Sequence, residues 1–271
     1  MNDKARDYWN NTASANSDWR YYQPDNPERL QHISEIIKMP ERAFPSAMYP
    51  LIKKYIGNFQ GKKICVPSSG DNLAVFGFHL LGAKVTSCDI SQNQINNAKS
   101  VADKHNWNIE FFCQDSMILD KISNNEYDLV YTSNGVHVWI GDLPEMYKNF
   151  YRLLKKGGYN IFFETHPVCR PFDNTTYEIK IKKHYEDVCS LEYECPEYSW
   201  RTQDFVNAVT SASFVIKEMQ EFHSVREDLN PHNYLRVDDN DNYKWPGDTF
   251  DWKVNPWAAL PQCLCLCSQK V

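Results

Sequence analysis

No excess of positive charge runs through these 271 residues: 29 Lys and Arg stand against 35 Asp and Glu, a formal net charge of −6. A partner held by broad phosphate neutralisation needs the opposite balance, which argues against nucleic acid while leaving a local basic patch open. An apolar run long enough to span a bilayer is missing, as is a signal-type leader, so no membrane insertion is expected. The nine cysteines lack the look of a small disulfide scaffold and point to free thiols in a reducing cytoplasm. No internal repeat and no low-complexity tract interrupts the chain. A Gly-x-Gly-x-x-Gly turn is also absent, which argues against a nicotinamide dehydrogenase.

What is present suits a globular enzyme. At 42% hydrophobic content the chain can bury a substantial core, as one large α/β domain or a core domain with insertions. Aromatic residues make up 14%, and many Trp and Tyr lie outside the expected sheet, where they would wall a pocket for a small molecule.

The chain is organised around the stretch from Lys62 to Ser91. Ile64, Cys65 and Val66 make a short apolar run, Pro67 to Asn72 a turn, and Leu73, Val75, Phe76, Phe78, Leu80 and Leu81 a helical pattern. A second apolar run, Val85 to Cys88, stops at Asp89 about twenty residues after the turn, where an open parallel sheet presents a carboxylate to ribose hydroxyls. That spacing is a βαβ unit gripping a nucleoside.

Ahead of this unit, residues 1–27 read as a polar, aromatic lead-in (Tyr8, Trp9, Trp19, Tyr21, Tyr22), followed by helices from Pro27 to Met39 and from Pro45 to Ile56, stopped by Pro40 and Gly57. We expect residues 1–57 to form a helical, aromatic cap and 58–271 the main domain, with lid-type insertions at about 168–200 and 222–258. Ser91 caps a helix through Ala102. Strands follow at Ile109–Cys113, Tyr127–Thr132 and Tyr159–Glu164, with a helix from Leu143 to Leu154 whose stop reads as Lys155, Lys156, Gly157 and Gly158. Tyr177 to Lys182 alternates like an exposed strand or hairpin, in a segment that reads as a lid or a homodimer surface. Thr202 to Ala212 is helical, Phe214 to Met219 a sixth strand, residues 222–258 a long polar loop with Trp245, Trp252 and Trp257, and Cys263, Cys265 and Cys267 share one face of a last strand. Alternation on a buried strand makes these cysteines small apolar residues rather than metal ligands.

In this order the residues resemble the class I S-adenosylmethionine-dependent methyltransferases, within their small-molecule group, most clearly over residues 58–167. The resemblance implies a Rossmann-like α/β fold with a seven-stranded, mostly parallel sheet, flanking helices and an antiparallel last strand. It implies S-adenosyl-L-methionine as the cofactor. The turn from Val66 to Asn72 occupies the place of the family's glycine loop, in which Gly70 alone survives, Ser68 and Asn72 stand for glycines, and Val66 replaces an acidic residue. Ser68, Ser69, Gly70 and Asn72 are thereby expected at the amino-acid end of the cofactor, Asp89 and Gln94 at the ribose, and Ile90 against the adenine. Asp115, Ser116 and Met117 match the loop that meets the adenine, and Asn134 with Gly135 the loop that lines the methionine portion. This last loop lacks the Asn/Asp-Pro-Pro-aromatic signature of amino-directed nucleic-acid methylases.

His137 and His166 follow strands at the carboxyl edge, where each is either a general base or a structural hydrogen-bond partner. Trp9 closes over the cofactor or packs on the sheet edge; Arg170 anchors an acidic substrate or lies on the surface; Trp200 with Arg201 and Asp204 fixes the lid or starts a helix. The expected activity is methyl transfer to an oxygen, nitrogen or sulfur of a small molecule. A methyltransferase of protein or RNA and a non-catalytic cofactor-binding module remain as alternatives.

Overall fold

The computed structural model describes residues 2–14, 24–70, 72–133, 135–173, 179–190, 195–223 and 251–271. Short, two-sided apolar runs become strands, and the patterned stretches between them become helices. In chain order these are α1 (Asn2–Ser14), α2 (Pro27–Lys38), α3 (Met48–Ile56), β1 (Lys63–Val66), α4 (Leu73–Leu80), β2 (Lys84–Asp89), α5 (Gln92–Lys104), β3 (Glu110–Cys113), β4 (Tyr127–Thr132), α6 (Leu143–Leu153) and β5 (Leu154–Thr165). Then come β6 (Cys189–Ser190), β7 (Glu197–Tyr198), α7 (Thr202–Ser211), β8 (Val215–Phe222) and β9 (Cys263–Gln269).

Seven strands form one sheet in the order β3-β2-β1-β4-β5-β9-β8. The first five run parallel, and β9 is inserted antiparallel between β5 and β8. The Rossmann-like sheet with an antiparallel last strand is therefore as expected. Both faces are buried, which is why the parallel strands read as continuous apolar runs instead of alternating ones. On one face Ile64, Val66, Leu129 and Ile161 pack with Ile36, Met48 and Ile52 of the amino-terminal helices. On the other, Cys65, Val130 and Phe162 pack with Met146, Phe150 and Phe205. Strand β9 serves both: Cys263, Cys265 and Cys267 enter the first core and Leu264 and Leu266 the second. Burial pushes the Cys265 thiol well up and that of Cys267 to about 12, so both stay protonated and pack as small apolar groups.

Several expectations are corrected. The lead-in contains helix α1, which the apolar pattern missed because much of its anchoring is polar: Asn10 accepts from the Ser91 hydroxyl (2.8 Å) and the Asn93 amide (3.2 Å) at the start of α5. Lys155 to Gly158 do not stop a helix. They lie inside β5, because the Gly157 N–H donates to the Lys270 carbonyl (2.7 Å) and the Lys270 N–H to that of Gly158 (2.9 Å), which draws this stretch into the sheet. The second helix begins only at Met48, after a 3-10 turn at Pro40–Ala43. Of the alternating stretch, residues 174–178 lie outside the described residues, and Ile181 makes a single bridge to Phe172. The hairpin of that segment is β6 with β7. Residues 224–250, with Trp245, also lie outside the described residues.

Candidate functional site

The turn after β1 is stitched to the ends of the neighbouring strands by short polar contacts. Its Gly70 N–H donates to Asp89 Oδ2 (2.8 Å), while Asp89 Oδ1 accepts from the Ser91 N–H (2.8 Å). A carboxylate is an acceptor at both oxygens, and here each oxygen receives a backbone N–H. Ser69 N–H donates to the Cys88 carbonyl (2.9 Å), and its hydroxyl lies 2.8 Å from that of Ser87. Ser68 and Ser116 share a hydroxyl contact of 2.6 Å, joining the turn to the loop after β3. Asn72 caps α4 through the Ala74 N–H (2.9 Å) and donates from Nδ2 to Ser133 Oγ (2.8 Å), joining it to the loop after β4.

Backbone geometry keeps the glycine-loop character that the sequence had lost. Gly70 has φ +49°, and Ser68, standing for a glycine, has φ +47°. A serine in this left-handed region costs on the order of 1 kcal/mol, which the Ser116 contact helps to offset. The Gln94 side chain is buried against Gly70, within 3.7 Å of where a Cβ there would lie. Ser68, Ser69, Gly70, Asn72, Asp89, Gln94 and Ser116 thus form one cluster over the carboxyl ends of β1 to β4. Asp115 accepts from the Met117 N–H (2.8 Å), and the Ile90 carbonyl accepts from the Cys113 thiol (3.4 Å). Gly135 has φ +85°; Asn134 lies outside the described residues.

Beneath the loop after β4 sits a second cluster that residue spacing did not reveal. Glu164, 1% exposed at the end of β5, accepts at Oε2 from both the His137 N–H (3.2 Å) and His137 Nδ1 (3.0 Å). Its Oε1 accepts from the Thr165 N–H (2.8 Å) and faces Arg170 at 3.6 Å. Burial pushes this carboxyl up, but the His137 hydrogen bond and charge, Arg170 and the Thr165 amide outweigh it and hold the pKa below its ordinary value. His137 Nε2 lies 2.7 Å from Tyr147 Oη, and burial, then Glu164, push that phenol well up, so Tyr147 keeps its proton. The imidazole is therefore engaged at both nitrogens. So is that of His166, where Nδ1 accepts from the Val168 N–H (3.1 Å) and Nε2 meets Glu221 Oε1 at 2.7 Å. One signal for Glu164 was available: a carboxylate ending the apolar run Ile161 to Phe163 needs a buried partner.

Aromatic side chains hold the β4 loop from two sides. Trp139 is stacked by Tyr8 (5.4 Å between ring centres) and met edge-on by Trp9 (4.9 Å), so Trp9 brings α1 onto this loop. From the insertion, Trp200 Nε1 donates to the Ile140 carbonyl (2.9 Å) and its ring stacks on Tyr198 (5.4 Å). Tyr198 comes so close that a Cβ at Gly141 would lie 2.8 Å from its hydroxyl, which explains glycine there. Arg201 and Asp204 form a two-pronged pair (2.9 Å each) that starts α7, while Arg170 turns inward to Glu164.

A parallel βαβ sheet ordered in this way, with its polar cluster at the carboxyl edge, is the class I methyltransferase fold. Residues 68–158 match the family model described as "Methyltransferase domain". The chain is 28% identical over 165 residues to ubiquinone biosynthesis O-methyltransferase of Coxiella burnetii, covering 61% of this chain and 59% of that relative, so it spans less than two thirds of the relative's length. A solved S-adenosylmethionine-dependent methyltransferase from Mesorhizobium loti superposes with a TM-score of 0.62 at 16% identity, over 82% of this chain and 97% of that one. Geranyl diphosphate C-methyltransferase from Streptomyces coelicolor A3(2), solved with Mg2+, geranyl diphosphate and S-adenosyl-L-homocysteine, gives 0.58 at 12% identity, over 100% and 98% of the two chains.

Proposed function

We propose that this chain is an S-adenosyl-L-methionine-dependent methyltransferase acting on a small molecule. The observation that carries this reading is the clasp between Gly70 and Asp89, which fixes a positive-φ turn and a buried carboxylate side by side at the carboxyl ends of β1 and β2. The residues present fit the cofactor. Asp89 and Gln94 would hold the ribose, Ile90 and Met117 the adenine ring, Asp115 and Ser116 its polar edge, and Ser68, Ser69, Gly70, Asn72 and the loop at Asn134 and Gly135 the methionine portion. When bound, the cofactor supplies a methyl group activated on a sulfonium sulfur. The protein's part is to align acceptor and methyl and to keep water out, which alone removes much of the barrier.

Neither histidine needs to take a proton from the acceptor in this reading. His137, held by Glu164 and Tyr147, fixes the loop after β4, and His166 fixes the turn after β5. The name of the Coxiella burnetii relative favours oxygen as the acceptor atom over nitrogen or sulfur. A reducing cytoplasm agrees with nine free thiols, and among the described residues no helix is long and apolar enough to cross a membrane.

Calorimetric titration with S-adenosyl-L-methionine and S-adenosyl-L-homocysteine tests the reading. Micromolar binding to the wild type, weakened about a hundredfold in Asp89→Asn through loss of charge-assisted hydrogen bonds, is the expected result. Folded wild-type protein that binds neither ligand overturns it.

A further inference from the structure

A shallow, open hollow of about 590 Å3 lies beside the carboxyl end of β5. Val168, Pro171 and Phe172, on the turn that follows β5, form one side, and Ile181 to Tyr185 the other. Phe172 is backed edge-on by Trp257 (5.8 Å), and Tyr185 Oη accepts from the Thr202 N–H (3.3 Å) at the start of α7. The walls are thus tied to framework elements at both ends.

Two features of the lining specify an occupant. First, large apolar side chains stand open to solvent here: Ile181 is 77% exposed, Tyr185 40% and nearby Ile179 38%. An apolar body in the hollow would cover them. Second, besides the Tyr185 hydroxyl the polar lining is Lys182, Lys183 and His184, with no carboxylate, in a chain whose net charge is −6. Lys183 is tied down, donating to the Asp187 carbonyl (3.1 Å) and to Ser199 Oγ. Burial, then Lys182 and Arg170, push its pKa down against Asp187 and Glu197, so cationic groups crowd one another at this wall. Lys182 forms no ion pair among the described residues. Crowded cations around an apolar floor complement an apolar anion.

A chain of contacts links the hollow to the candidate site. Arg170, on the same turn as Val168, reaches Glu164, and Glu164 holds His137 in the loop after β4. We propose that this hollow binds the methyl acceptor, and that the acceptor is an apolar, aromatic-type small molecule carrying a carboxylate or similar anionic group. The role as acceptor site rests on the methyltransferase reading; the ligand class rests on the lining alone.

Fluorescence titration of the full chain with naphthalene-2-carboxylate, beside neutral naphthalene-2-carboxamide, tests it. Exposed Ile181 can be replaced without opening the core, so Ile181→Asp places a negative charge in the hollow and Ile181→Asn controls for the lost apolar surface. The carboxylate should bind more tightly than the amide and lose about tenfold or more in Ile181→Asp, less in Ile181→Asn and in Lys182→Gln. Asp89→Asn should leave this binding unchanged, and the Ile181 variants should leave S-adenosyl-L-methionine titrations unchanged. Absent carboxylate binding, equal binding of the amide, or indifference to Ile181→Asp overturns the ligand class. A dimer in sedimentation that Ile181→Asp dissociates assigns the face to a second copy and overturns the site. Carboxylate binding by protein that does not bind S-adenosyl-L-methionine retains the ligand class and overturns the acceptor role.

Discussion

The two ends of the same parallel strands are built on opposite principles. At the amino end, charge meets charge in the open: Lys63 with Glu126, and Asp128 with Lys155 at 3.1 Å and Lys62 at 3.6 Å, most of these side chains about 40% exposed. At the carboxyl end, Ser69, Asp89, Gln94, Ser116, His137, Glu164 and His166 are all at most 8% exposed. Exposed pairs are screened and contribute little, whereas buried polar groups must be satisfied one by one. The comparison teaches that the function-bearing edge is the one where removing a single partner is costly, and the amino edge is where charges are interchangeable.

The sharpest break of this comparison is Glu164→Ala. It leaves the His137 N–H, His137 Nδ1 and the Thr165 N–H without their acceptor and should cost about 3–5 kcal/mol, read as a lowered urea midpoint. Glu164→Gln keeps an acceptor and should cost less.

Acidification sharpens it further. Because the folded pKa of Glu164 lies below its unfolded value of about 4.3, its charge stabilises the fold above that pH and the benefit is lost as pH falls through the folded value. The deficit of Glu164→Gln relative to wild type should therefore be constant near neutrality and shrink below about pH 4 in denaturation series. A deficit independent of pH would show that the charge is not what matters.

Smaller effects grade the remaining contacts. Asn72→Ala removes the α4 cap and the link to Ser133 and should cost about 1 kcal/mol in thermal melts, with weaker S-adenosyl-L-methionine binding besides. At the opposite end, Glu126→Gln should change stability by less than about 0.5 kcal/mol, and salt should erase even that. A large loss there would end the distinction between the edges.

The legible part of this molecule is its local part. Ile64 to Asp89 read correctly as strand, turn, helix and strand because each of those choices depends on neighbours in the chain, and Ser91 read as a cap because capping reaches only three residues ahead. Seven of the ten candidate residues of the first βαβ unit and the loop after β3, namely Ser68, Ser69, Gly70, Asn72, Asp89, Gln94 and Ser116, lie in one cluster for the same reason, since a parallel sheet aligns successive strand ends. What escaped reading depends on distant partners. Helix α1 is anchored by Ser91 and Asn93, the start of β5 by Lys270, and Arg170, assigned either to the surface or to a substrate, turns inward to Glu164.

By itself, then, the sequence determined the alternation of strands and helices, the βαβ unit ending at Asp89 and the one-faced cysteines of β9, all of which follow from side-chain periodicity and turn chemistry. Only the tertiary structure decided that Ser68 keeps a glycine's backbone conformation, that β9 enters between β5 and β8, and that His137, Tyr147 and Glu164 close on one another. These are properties of groups far apart in the chain, and a buried polar atom is satisfied only by whatever the completed fold brings within about 3 Å of it.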